Sequence, residues 1–217
     1  MNNNISIFRR PLRYTNFNAV YWLIGINLVI FAASRLLGHD VRNSMTLYMS
    51  MIPAAVMQGW VWSFVTYMFI HADFGHVFFN MFGLFIFGVQ VERQMGSREF
   101  LLYYLLTGAL AGVFSFVMYY VTGNLIVFLV GASGALYAVQ LAYAVFNPNA
   151  IIYIWGILPL RAPVMVLVFT VLSLFFIVTG GGGNVAHLTH LAGFGFGWLY
   201  FMMRFGENPW KRLTGRY

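Results

Sequence analysis

The sequence predicts an all-α fold: a polytopic membrane protein built as a six transmembrane helix bundle with a partly membrane-embedded first loop. Three observations carry that class. Of 217 residues, 61% are hydrophobic and only 8% charged, against roughly 25% charged in ordinary soluble domains. Apolar runs of about the length a bilayer requires recur along the chain, separated by short polar breaks. The basic residues sit in those breaks, where they read as topology signals. The formal charge of +7 does not point to nucleic acid, because the twelve basic residues are scattered rather than gathered into a patch with interleaved aromatics. The chain has no cysteine, which excludes disulfides, thiolate zinc sites and a cysteine nucleophile.

Residues 1–18 are polar and basic, with Arg9, Arg10 and Arg13 just before a first apolar run, Ala19 to Leu37. That run continues past Ala32-Ala33-Ser34, so it is an uncleaved span rather than a signal peptide. Gly38 to Gly75 is apolar but broken by Pro53 and Gly59, with Trp60 and Trp62 close together. Such a stretch suits the bilayer surface, the depth tryptophan prefers. The second span runs from His76 to Val91 and stops at Glu92-Arg93, and a short basic loop to Arg98 turns the chain back. Phe100 to Val121 is the third span, and Leu125 to Phe146 the fourth, ended by Asn147-Pro148-Asn149. Ala150 to Pro163 is a loop element, strand-like around Ile151 to Trp155. Val164 to Val178 is the fifth span. The glycine run at 180–183 follows it, a flexible segment able to let the fifth helix tilt. Val185 to Met203 is the sixth span, and Arg204 to Tyr217 a solvated tail. The chain thus divides into an N-terminal segment (1–18), a membrane domain (19–203) and a tail (204–217).

Six spans put both termini on one side. On that side lie Arg9, Arg10, Arg13, Arg93, Arg98, Arg161, Arg204, Lys211, Arg212 and Arg216, and only Arg35 and Arg42 fall opposite. The positive-inside rule makes both termini cytoplasmic.

Polar groups inside apolar runs are expensive and tend to be functional. Ser133 stands between Gly131 and Gly134, about two turns into the fourth span; His76 and Asn80 start the second span, one turn apart on one face; His187 and His190 start the sixth. The stripe Ala186, His190, Gly193, Gly197 lets another backbone come close, and Gly131, Gly134, Ala135 and Ala138 answer it. That pairing puts Ser133 within hydrogen-bond reach of His190. Between Glu99 and Glu207 there is no Asp or Glu, which excludes a pair of intramembrane aspartates, a His-Glu-x-x-His metal site and a full Ser-His-Asp triad there. A serine enzyme on this chain works as a Ser-His dyad, with no metal and no cofactor.

The segment from Phe69 through His71, His76 and Asn80, the Glu92 to Gly96 turn, Gly131-Ala132-Ser133-Gly134 with Tyr137, and Ala186-His187-Leu188-Thr189-His190-Leu191-Ala192-Gly193 together resemble the rhomboid family of intramembrane serine proteases, over roughly residues 58–203. The resemblance implies cleavage of single-pass transmembrane proteins in or near their membrane helix, within the lipid bilayer of a bacterial cell membrane. It implies Ser133 as nucleophile, His190 as general base and acid, His76 and Asn80 with Ser133 as oxyanion-stabilising groups, and Tyr137 as a ring packed on His190. The glycines 131, 134 and 193 support these. Family members often carry Trp-Arg in the first loop; Trp62-Ser63 here leaves the usual anchoring of that loop without its arginine. His71 and His187 are read as structural. Two other functions stay open: a catalytically inactive membrane-helix binding or trafficking module, and a transporter or metal carrier using His71, His76, His187 and His190. Substrate identity and oligomeric state have no signature in the sequence.

Overall fold

The computed structural model describes residues 11–154, 156–179 and 184–215. Arg9, Arg10, Trp155, the glycine run at 180–183 and Arg216 lie outside the described residues, as does the side chain of Ala186.

Helix α1 (Ala19–Leu36) leaves its first amides without intrahelical acceptors. They are capped from far along the chain: the Glu92 carboxylate accepts from the N–H of Ala19 at 2.6 Å and of Val20 at 3.0 Å, and also from the Ser97 hydroxyl. A negative group at a helix N-terminus is favoured by the aligned peptide dipoles as well. Glu99, fully buried, accepts from the Leu12 N–H, the Tyr200 hydroxyl and the Arg204 guanidinium at 2.5–2.7 Å. Two buried carboxylates, Glu92 on the helix Phe74–Met95 and Glu99 on the helix Ser97–Val121, therefore tie α1, the segment at Leu12 and the helix end at Tyr200–Arg204 together at one end of the bundle.

The first loop folds as helices α2 (His39–Met49), α3 (Pro53–Val56) and α4 (Ser63–Thr66). Tyr48, Trp60 and Trp62 form a stack with centroids 5.1 and 5.5 Å apart, and the Trp62 indole donates to the Tyr48 carbonyl at 3.0 Å. Buried Ser63 donates to the Trp60 carbonyl at 2.6 Å. The loop is thus anchored to its own backbone by Trp62-Ser63 itself, correcting the expectation drawn from the missing arginine.

Helix α5 (Phe74–Met95), with one wide turn over Leu84–Gly88, begins where the Asp73 side chain accepts the His76 N–H at 2.8 Å. It ends at Gly96, whose φ of 82° lets the chain reverse directly into α6 (Ser97–Val121). The fourth element differs from expectation. Instead of a span from Leu125, helix α7 is Ser133–Phe146, and the residues before it are irregular, with turns at 125–126 and at Ala132 and one antiparallel bridge at Leu129. Leu129 exchanges both backbone bonds with Met51, at 3.0 and 3.1 Å. An apolar run looks the same whether it becomes a span or a packed loop, and here the first loop supplies the backbone partner that holds it out of the helix.

A two-stranded antiparallel hairpin follows, β1 (Ile151–Ile154) with β2 (Leu158–Arg161), a small addition to an otherwise helical fold. Then come α8 (Ala162–Thr179), α9 (Asn184–Tyr200), prolonged by a wide turn over Phe201–Phe205, and the short α10 (Pro209–Leu213). Among the described residues α1, α5, α6 and α8 are long and apolar enough to cross a membrane. The expected fourth span is the shorter helix α7, of 14 residues, and the expected sixth is covered by α9 together with its wide turn, Asn184 to Phe205. Most of α7 is buried, whereas only 17% of α8 is. The fold is a polytopic helical bundle with α7 at its centre and α8 at its edge.

Candidate active site

Ser133 is the first residue of α7 rather than lying two turns inside a span, and the turn that delivers it explains the glycine before it. Gly131 has φ 105°, which residues with a Cβ rarely adopt, and a Cβ there would collide with His76 Nε2. Its N–H donates to the Tyr67 carbonyl at 2.9 Å, and the Ala132 N–H donates to His71 Nε2 at 3.5 Å. At this helix start the N–H groups of Ser133, Gly134 and Ala135 find no backbone acceptor among the described residues. Had the chain been helical from Leu125, the Ser133 N–H would have been spent on the carbonyl of Leu129.

Helix α9 meets α7 backbone to backbone. A Cβ on Gly193 would run into the Gly134 carbonyl oxygen, and one on Gly197 would lie 3.2 Å from the Ala138 Cα and 2.6 Å from the Tyr103 hydroxyl. One on Gly134 would meet Ala111 Cβ at 3.1 Å. This approach brings His190 Nε2 to 2.8 Å from Ser133 Oγ. The imidazole lies flat on the Tyr137 ring, centroids 4.3 Å apart at 13°, and Tyr137 is itself packed against Phe169 and Phe194. The buried Nδ1 of His190 has no hydrogen-bond partner among the described residues. Ser133 and His190 are both only half-buried, so the pair is reachable.

His76 approaches from α5. Its Nδ1 accepts the Ala72 N–H at 3.4 Å, so the neutral ring carries its proton on Nε2, the atom turned toward Gly131. Asn80 is buried; its amide donates to the His76 carbonyl at 2.8 Å and its Oδ1 has no partner among the described residues. His71 serves a loop amide, accepting the N–H of Ala132. Burial, then the neighbouring His76, hold its pKa down to about 3. His187 stacks on Phe176, centroids 5.0 Å apart. The four histidines make two edge-on pairs, His71 with His76 and His187 with His190, and among the described residues no three His, Cys, Asp or Glu side chains gather into a metal-holding group.

A hydroxyl against an imidazole, facing free amides at a helix start, can support nucleophilic attack on a carbonyl and hold the resulting oxyanion. Two contributors went unremarked in the sequence: Asp73, whose position three before His76 is a helix-capping signature, and Arg35, which donates to the Ala72 carbonyl at 2.5 Å. No local pattern announces the second.

The family model of the rhomboid domain matches residues 58–207. The chain belongs to the rhomboid family. This rhomboid is similar to Rhomboid-like protein 11, chloroplastic, of Arabidopsis thaliana (37% identical over 130 residues, 59% of this chain and 41% of that protein). It is also similar to the rhomboid-named YdcA of Bacillus subtilis (30% over 203 residues, 89% and 94%) and to the rhomboid protease GlpG of Haemophilus influenzae (35% over 79 residues, 36% and 38%). It spans less than half the length of Rhomboid-like protein 11 and of the mitochondrial RHOMBOID-like protein 12, but nearly all of YdcA.

Proposed function

We propose that this rhomboid is an intramembrane serine protease that cleaves single-pass transmembrane proteins in or near their membrane helix with a Ser133–His190 dyad. The observation that carries the reading is the 2.8 Å approach of His190 Nε2 to Ser133 Oγ at the open start of α7. His190 takes the hydroxyl proton as Ser133 attacks the peptide carbonyl, and then gives it to the leaving amine. Negative charge develops on the carbonyl oxygen as the bond to Ser133 forms. The Ser133 N–H, the His76 Nε2–H and the Asn80 amide are the donors assigned to it. Tyr137 keeps the imidazole plane fixed through the proton transfers. Relatives named as proteases, GlpG of Haemophilus influenzae and GluP of Bacillus subtilis, support the same chemistry.

The protease sits in the cell membrane of a bacterium with both termini cytoplasmic. Support comes from the clustering of Arg93, Arg98, Arg161, Arg204, Lys211 and Arg212 away from the helix ends that hold Ser133, His76 and His190. A fluorophosphonate probe tests the reading, since only an activated serine reacts. Labelling of the folded protein at Ser133, lost in Ser133→Ala, is expected. An unlabelled, folded wild type would favour the inactive binding module.

A further inference from the structure

A hollow of about 290 Å³ lies beside the site, and its walls come from the two segments that deliver the reactive groups. On one side are His71 and Ala72, just before α5 and His76; on the other are Phe128 and Val130, from the segment that runs into Ser133. The remaining wall carries Arg35 and Arg42, the two basic residues that stand apart from the other ten.

These arginines are differently held. Arg35 donates to the Ala72 carbonyl at 2.5 Å and its guanidinium lies 4.9 Å from the Phe31 ring centroid, so it is fixed, with one of its five donors used. The side chain of Arg42, exposed on α2, has no hydrogen bond or ion pair among the described residues. Nor has Arg35 a carboxylate within ion-pair distance: the ion pairs found are Arg204–Glu99 and Arg212–Glu207. Two guanidinium groups without an ion-pair partner among the described residues line a cavity whose other walls mix Ile70, Ala72, Phe128 and Val130 with Ser34, Thr46 and His71. That is the chemistry that receives a carboxylate. Whatever fills the hollow touches the segments leading to Ser133 and His76, and Phe128 and Val130 make no backbone hydrogen bond among the described residues. Val130 is three residues before Ser133 and Ala72 four before His76, so a polypeptide bound at the Ser133–His190 pair would lie next to the hollow.

We propose that this hollow is a specificity subsite for an acidic side chain, Asp or Glu, of the substrate segment next to the scissile bond, with Arg42 as its principal cation and Arg35 as a fixed second one. The proposal rests on the protease reading. In the test, the full chain is reconstituted in phosphatidylcholine vesicles, with and without phosphatidylglycerol. It is given reporter single-pass substrates in which each residue flanking the cleaved bond is Asp, Asn or Lys in turn. At one position Asp is expected to raise kcat/KM about 5-fold over Asn, the size of a partly exposed ion pair. That ratio should fall to about one in Arg42→Gln, and Arg42→Glu should prefer Lys there. Fluorophosphonate labelling of Ser133 confirms that each variant is folded and competent. An Asp-to-Asn ratio the same in wild type and Arg42→Gln at every position would overturn the subsite. So would an Arg42→Gln defect that follows phosphatidylglycerol content and ignores substrate charge, which assigns the hollow to a lipid phosphate. If no substrate is cleaved and Ser133 stays unlabelled, the protease reading fails, and the subsite with it.

Discussion

His190 presents Nε2 to Ser133 Oγ at 2.8 Å, while Nδ1 of the same ring is buried without an acceptor among the described residues. For Nε2 to accept the hydroxyl proton, the neutral ring must carry its own proton on Nδ1. Where a third residue is present, a carboxylate fixes that tautomer and the ring's orientation together. Here orientation comes from stacking on Tyr137 instead.

Ser133→Ala and His190→Ala are each expected to remove cleavage of a reporter substrate, and the double variant should be no worse than either single one, because the pair acts as a unit. Thermal unfolding of Ser133→Ala should stay near wild type, since the substitution removes one half-buried hydroxyl. Cleavage persisting in purified Ser133→Ala would dismiss the dyad.

Asn80→Ala should lower kcat by about 10²-fold with little change in KM, the loss typical of one oxyanion donor. His76→Ala should behave alike, and the double variant should lose less than the product of the two, since both groups would serve one charge. Asn80 also donates to the His76 carbonyl at 2.8 Å, so unfolding is measured in parallel. A large fall in stability with kcat near normal would make both residues structural.

Gly193→Ala forces a methyl group into the Gly134 carbonyl, whereas Gly134→Ala meets side-chain atoms alone, Ala111 Cβ at 3.1 Å and Thr189 Cγ2 and the Tyr67 hydroxyl at 3.3 Å. The first should destabilise by about 1–3 kcal/mol and the second by less. Because the same contact sets the Ser133–His190 distance, Gly193→Ala should also lose most of its fluorophosphonate labelling. Wild-type labelling and stability in Gly193→Ala would show that the helices can separate without harm.

His71 links acidity to stability. Burial and His76 lower its pKa from 6.5 to about 3, so the folded state holds its proton more weakly than the unfolded state does. Its contribution is therefore complete above about pH 6.5 and declines as pH falls from there toward 3. Unfolding followed by heat or denaturant should weaken across that window, by at most about 1.4 kcal/mol per pH unit from this group. His71→Gln should flatten the slope; an unchanged slope would place the titration elsewhere.

The pairing of Ser133 with His190 was legible because small residues at helical spacing mark both partners: Gly131, Gly134 and Ala138 on one, Gly193 and Gly197 on the other. The strand-like region at Ile151 and the long apolar helices were legible for the same reason, periodicity and length. The start of α7 was not. Leu125 to Ala132 is apolar throughout, and its irregular form depends on Met51, far away in sequence. The links from Arg35 to Ala72, His71 to Ala132 and Glu92 to Ala19 are equally distant in the chain and leave no local pattern.

The shortness of α7 has a further consequence. Its 14 residues reach about 21 Å, while a bilayer's hydrocarbon layer is about 30 Å thick. If the Phe146 end stood at one boundary of such a layer, Ser133 would lie about 9 Å inside the other. On the protease reading proposed above, every turnover would consume a water molecule at that depth, and the turn at Gly131, which delays the helix until Ser133, would set how far that water has to come.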